Sequence, residues 1–290
     1  MKSKRLMGII SSFLLFTSLI VSIPVKQVYA DAYKVVTLGA NLTPKQKEDM
    51  LKYFGVTKEE ANVIEVTNEE ERKYLGDVAD AKQIGTKAIS SSYVEPTEKG
   101  GLVISINNMY WVSESMIRNA LITAGIENAV VKASAPFNVS GTAALTGILK
   151  GFESSEGGQK IDEDKKKAAN EEIVVTGDLG EKVGKDEAAK LINEVKTEVI
   201  KEKPKGAKEI QKIVTDVADE YNVKLSDEDV QRITNLMNKI NSLDIDFNEV
   251  KDQLKDVTSK LNNVLTSEEA QGFFAKLWSA ITAFFRELFS

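Results

Sequence analysis

The 290-residue chain contains no cysteine and no histidine. The first absence excludes disulfides, thiolate nucleophiles and Cys-ligated metal centres. The second removes the imidazole base, and with it Ser-His and Cys-His catalytic pairs. A zinc site would have to be built from carboxylates alone, which is unusual. Neither a catalytic residue, nor a metal ligand, nor a cofactor site is predicted. Basic excess is missing too: 38 Lys and Arg stand against 44 Asp and Glu, a net charge of -6. A chain of that sign is not an electrostatic binder of nucleic acid.

One long apolar run is present, at the start. Lys2, Lys4 and Arg5 precede an apolar stretch from Leu6 to Ile23, and Val28-Tyr29-Ala30 supplies small-residue cleavage spacing before Asp31. Residues 1–30 read as a secretory signal peptide. An uncleaved anchor is the alternative, since the run approaches the ~20 residues of a bilayer span. A lipoprotein anchor is excluded by the lack of cysteine. Removing the signal takes Lys2, Lys4, Arg5 and Lys26 and no acid, which moves the net charge from -6 to -10. The reading places the protein outside the cytoplasm, secreted or envelope-associated, with a wall or membrane-surface component or another protein as its partner.

Residues 31–203 predict an α/β or α+β part with a mixed sheet. Strands are predicted at 34–38, 61–66, 88–94, 102–106 (extended by 109–112), 129–133 and 173–176. Helix starts are marked by Thr43-Pro44-Lys45-Gln46 and Thr67-Asn68-Glu69-Glu70, both with capping-box spacing. A further helix is predicted over 114–124. Residues 204–206, within Lys203-Pro204-Lys205-Gly206, read as a linker. Residues 207–290 read as an all-α part. Within it, Ile233, Leu236, Ile240, Leu243, Phe247, Val250, Leu254, Val257, Leu261 and Val264 form a heptad-like seam over 233–264. One long helix and two shorter ones both fit it, and antiparallel packing within the chain is favoured over self-association. Residues 267–289 read as an amphipathic helix whose face carries Phe273, Phe274, Trp278, Phe284, Phe285 and Phe289. That face either packs on the core or contacts a membrane surface or partner.

Several motifs fall short of chemistry. Asp244-Ile245-Asp246-Phe247-Asn248 begins like an EF-hand loop, but Glu249 and Lys255 stand where Gly and Glu are needed. Gly180 to Asp186 has the wrong spacing for a P-loop. Glu59 with Glu60, and Asp162 with Asp164, offer carboxylate pairs for a hydrolase of envelope polymers, though in an acidic chain such pairs usually lie on solvated faces. Ser140, Gly141 and Thr142 open a predicted helix, with Ser140 as its cap, and form a candidate anion or ligand contact. The competing reading is packing, with Gly141, Ala144, Gly147 and Gly151 giving a small face that sits tightly on a sheet.

Three stretches carry a family resemblance: Ser91-Ser92-Tyr93-Val94-Glu95-Pro96, Asn119-Ala120-Leu121-Ile122-Thr123-Ala124-Gly125-Ile126, and Ala135-Pro136-Phe137 with Val139 to Gly147. With these the chain resembles the YpuA-like family of exported Firmicutes proteins, which carries a domain of unknown function. The resemblance implies an extracytoplasmic protein of Gram-positive bacteria and transfers no functional residue. The leading functional expectation is a non-enzymatic binding or interaction protein of the envelope.

Overall fold

The computed structural model describes residues 31–265. The signal-like stretch and the face of Phe273, Phe274, Trp278, Phe284, Phe285 and Phe289 lie outside the described residues.

Strand β1 (Asp31–Gly39) passes through helix α1 (Pro44–Phe54) to β2 (Ala61–Val66), its parallel neighbour. Helices α2 (Asn68–Leu75) and α3 (Ala81–Ile84) lead to β3 (Ser91–Pro96). Then β4 (Leu102–Met109), α4 (Glu114–Thr123) and β5 (Ala129–Val139) form a second parallel βαβ unit. The sheet order is β2-β1-β3-β5-β4. Strand β3 is antiparallel to both of its neighbours, so β1, β2, β4 and β5 all run the same way. Parallel pairs need a crossover of helix length, which α1 and α4 supply.

The caps form as their spacing predicts. Gln46 N–H donates to Thr43 Oγ1 while Thr43 N–H donates to Gln46 Oε1, and Thr67 and Glu70 repeat the exchange at α2. Helix α1 covers one face of the sheet through Met50, Leu51 and Phe54 against Val36, Leu38 and Tyr93. The other face is covered by α4 and by α5 (Thr142–Glu153). Helix α5 approaches closely because its contact face is small. Thr37 Oγ1 donates to the Gly147 carbonyl at 2.9 Å, and a Cβ on Gly147 would stand 2.9 Å from Ser92 Oγ.

Beyond α4 lie α6 (Glu163–Val183), α7 (Lys185–Glu202), α8 (Ala207–Glu220), α9 (Asp227–Ser242) and α10 (Phe247–Leu265). Residues 173–176 belong to α6, not to a strand. The β-branched run Ile173-Val174-Val175-Thr176 has strand composition, but its side chains are buried all round between α2, α4, α7 and α9. Tertiary burial overrides the weak local preference. The heptad-like seam is divided between α9 and α10, with Leu243 at the break. Both helices pack within the chain, α9 on α6, α7 and α8, and α10 on α4 and α7. One apolar cluster runs from Val94, Ile104 and Val131 of the sheet to Leu236 and Val257 of the last helices.

At its centre is an ion pair with no solvent exposure at either side chain. Lys196 Nζ lies 2.8 Å from Glu172 Oε1 and donates to the Asn119 carbonyl at 2.9 Å and to Thr123 Oγ1 at 3.2 Å. Thr123 Oγ1 donates to the second Glu172 oxygen at 2.5 Å. Burial pushes the Lys196 pKa down, and the facing carboxylate opposes that shift. Removing one partner strands a charge at a cost of about 3–5 kcal/mol, whereas an apolar pair of matching volume is close to neutral. Lys196→Ala should therefore destabilise the fold by about that amount, and Lys196→Met with Glu172→Leu should recover most of it. Denaturant unfolding of the three proteins checks the ordering.

Candidate functional site

Because four strands point the same way, their carboxyl ends lie on one edge of the sheet, at Gly39, Val66, Met109 and Val139. Open α/β sheets place ligands at that edge. A groove of about 280 Å³ lies there, between the α2–α3 region and the loops that follow β4 and β5. Its floor includes Glu71, Ser90 and Thr142, and its mouth includes Tyr110, Asn138 and Ser140.

Glu71 is fully buried. It accepts a hydrogen bond from Thr142 Oγ1 at 2.8 Å and a long one from Asn68 Nδ2 at 3.5 Å. Burial raises its pKa to about 7, against the opposing effect of those two bonds and of the Arg72 charge. Acid and carboxylate forms are both populated near neutrality. The carboxyl sits at the first turn of α5, where a helix N-terminus favours negative charge. The groove thus brings a carboxyl of the chain itself to the start of this helix.

Ser140, Gly141 and Thr142 come together as the turn from β5 into α5. Ser140 Oγ is 3.4 Å from Thr142 Oγ1. The residue at the N-cap is Gly141, not Ser140, and it has no side chain with which to cap the helix. Gly141 has φ 104° in the left-handed region, and a Cβ there would meet Met109 Sδ at 2.9 Å. Thr142 and Ala143 are buried, and the Ala144 N–H donates to Ser90 Oγ at 2.8 Å.

The outer wall, at Lys82, Gln83 and Gly85, is tied down from two sides. Arg72 Nη2 donates to the Gly85 carbonyl at 2.5 Å. Gln83 Nε2 and Arg232 Nη2 donate to the two oxygens of Asp178, each at 2.5 Å. The wall is thereby fastened through α6 to α9.

The remaining motifs lie elsewhere. Glu59, Glu60, Asp162 and Asp164 are exposed, and Asp162 caps α6. Gly180 lies within α6, and Asp246 caps the start of α10 by accepting from the Asn248 N–H at 2.8 Å. Among the described residues no group of three or more acids stands where it could hold a metal ion, and no helix is long and apolar enough to cross a membrane. Glu71 is the residue that sequence reasoning missed. Its signal was present: Glu71 shares a helix face with Leu75, four residues on, and both are buried.

Residues 38–257 match the family described as "Protein of unknown function (DUF1002)". The chain belongs to this family. It is 40% identical over 261 residues to "Uncharacterized protein YpuA" of Bacillus subtilis (strain 168), a match covering 87% of this chain and 89% of that protein. No solved structure matches the chain.

Glu71 makes stability depend on pH. Its folded pKa of about 7 lies above the ordinary 4.5. Between those values the folded chain keeps a proton that the unfolded chain releases, so stability is fully present below about 4.5 and declines as pH rises through 7. The decline amounts to at most about 3 kcal/mol. Glu71→Gln should flatten this decline between pH 5 and 8 in urea titrations, and an unchanged slope would assign it to other groups.

Proposed function

We propose that this protein is exported to the cell envelope and works there by binding, through the groove at the carboxyl edge of its sheet. The signal-like start supports export. One observation carries the preference for binding: Glu71 is the sole carboxyl among the groove's lining residues, and its partners are the hydroxyl of Thr142 and the amide of Asn68. Two-carboxylate hydrolysis requires a second acid facing the first across roughly 5–9.5 Å. The acid pairs noted in the sequence are exposed and lie outside this groove. The partner fitting this reading is a wall or membrane-surface component. The stretch 267–289 remains a second contact surface under the same proposal.

Two measurements test the reading. Fractionation should recover the protein outside the cytoplasm, without residues 1–30. Incubation of the purified protein without residues 1–30 with wall glycan, peptide and ester substrates should release no product above the buffer rate, while fragments of a wall digest bind saturably. Turnover at enzymatic rates that disappears in Glu71→Gln would make Glu71 a general acid and replace binding with hydrolysis.

A further inference from the structure

The mouth of the groove has a composition that the binding reading alone does not use. Tyr110 is 54% exposed, although the two residues after it, Trp111 and Val112, are buried at 3% and 1%. The chain thus leaves an aromatic ring in water at a point where it turns into the core. That ring stands on rigid backbone. Tyr110 N–H donates to the Val139 carbonyl at 2.9 Å and Val112 N–H to the Ser140 carbonyl at 3.2 Å. Just before it, Asn108 takes a left-handed φ of 58°, and its side-chain amide donates to the Ala135 carbonyl at 2.7 Å. Trp111 packs against Gly177, where a Cβ would meet the indole at 2.4 Å. The backbone that carries the ring is therefore fixed relative to Ser140, whose carbonyl is part of the same ladder.

The polar side chains on the strand end and turn that pair with the Tyr110 segment are uncharged. Asn138 is exposed and offers both a donor and an acceptor, and Ser140 is half-buried. The carboxyl of Glu71 lies behind them and is engaged by Thr142. An apolar ring beside neutral donors and acceptors suits a ligand with one C–H face and many hydroxyls. The C–H bonds of a pyranose ring present slight positive charge to the negative π-face of an aromatic ring, while its hydroxyls pair with amide and hydroxyl groups. The groove volume of about 280 Å³ lies just below the roughly 300–1,000 Å³ of small-molecule sites, which suits one sugar ring of a longer saccharide that continues outside it. Lys82 and Lys87, both exposed, stand on the opposite wall and define the competing chemistry, an anionic ligand held by charge.

We propose that this groove binds a saccharide, with the Tyr110 ring as the stacking face and Asn138 and Ser140 as its hydroxyl partners; the proposal rests on the reading of the groove as the binding site. The test is isothermal titration of the purified protein without residues 1–30 with a neutral β-1,4-linked N-acetylglucosamine tetramer. The expected result is saturable binding that Tyr110→Ala weakens by about tenfold, the equivalent of one stacking contact. Tyr110→Phe should stay within about threefold of the parent, because the ring face is kept. Unfolding midpoints of both variants should match the parent, since the side chain is exposed. Absence of tetramer binding, or equal binding by Tyr110→Ala, overturns the proposal. Two further probes separate its failure from that of the binding reading. If wall-digest fragments bind and lose affinity in Asn138→Ala while the tetramer does not bind, the saccharide assignment falls and the groove remains the binding site. If polyphosphate alone binds, and Lys82→Ala with Lys87→Ala or added salt abolishes it, the ligand is anionic and the proposal is wrong. If none of the probes binds, both readings fall.

Discussion

The buried Lys196–Glu172 pair joins the two halves of this molecule. Its four contributors come from three helices: Asn119 and Thr123 from α4, Glu172 from α6 and Lys196 from α7. Helix α4 is the crossover between β4 and β5, so the network fastens the helical layer to the sheet through an element the sheet cannot do without. Apolar contacts around it are non-directional and tolerate sliding. The ion pair does not, because a small displacement leaves a charged group in the core without its partner. The burial that makes the pair costly in isolation therefore makes the helix arrangement specific.

A second constraint acts at the sheet. Four strands share one direction, so four turns meet at one edge, and the chain must pack the starts of α1, α2, α4 and α5 there. Crowding of that kind leaves backbone and side-chain polar groups with few positions open to water. Glu71 and Ser90 answer this from inside, taking up the Thr142 hydroxyl and the Ala144 N–H. Arg72 and the Gln83–Asp178–Arg232 chain answer it from the side. The groove is what remains open between these ties, and its walls are accordingly stiff.

Much of this was legible in the residues, because the signals were local. Capping boxes at Thr43 and Thr67 and the stop at Gly55 depend on a few adjacent side chains, and these appear where their spacing requires. The mixed sheet with following helices was also readable from alternation of strand and helix patterns. The run at 173–176 was not, since a β-branched sequence buried on every side has the same composition in a helix as in a strand. The joining of the seam into two helices turned on Leu243 to Asp246, where both outcomes satisfy the same periodicity. Glu71 was legible only as a position on the Leu75 face of α2; that it meets Thr142, and that Tyr110 is held beside Val139, both depend on residues far along the chain.

The lone antiparallel strand has a consequence for how the sheet is joined. Each parallel pair, β1 with β2 and β4 with β5, closes over a short stretch of chain and brings its own crossover helix. Strand β3 lies between them both in space and in sequence. Within the sheet the two units meet only through β3, a strand of six residues, while α5, which follows β5, reaches across to β1 through the Thr37–Gly147 hydrogen bond. Loop closure for both pairings of β3 is shorter than a direct β1–β5 contact would need. One shared strand and one helix laid across it therefore hold the two βαβ units together, so a change in β3 or at the Thr37–Gly147 contact acts on both units at once.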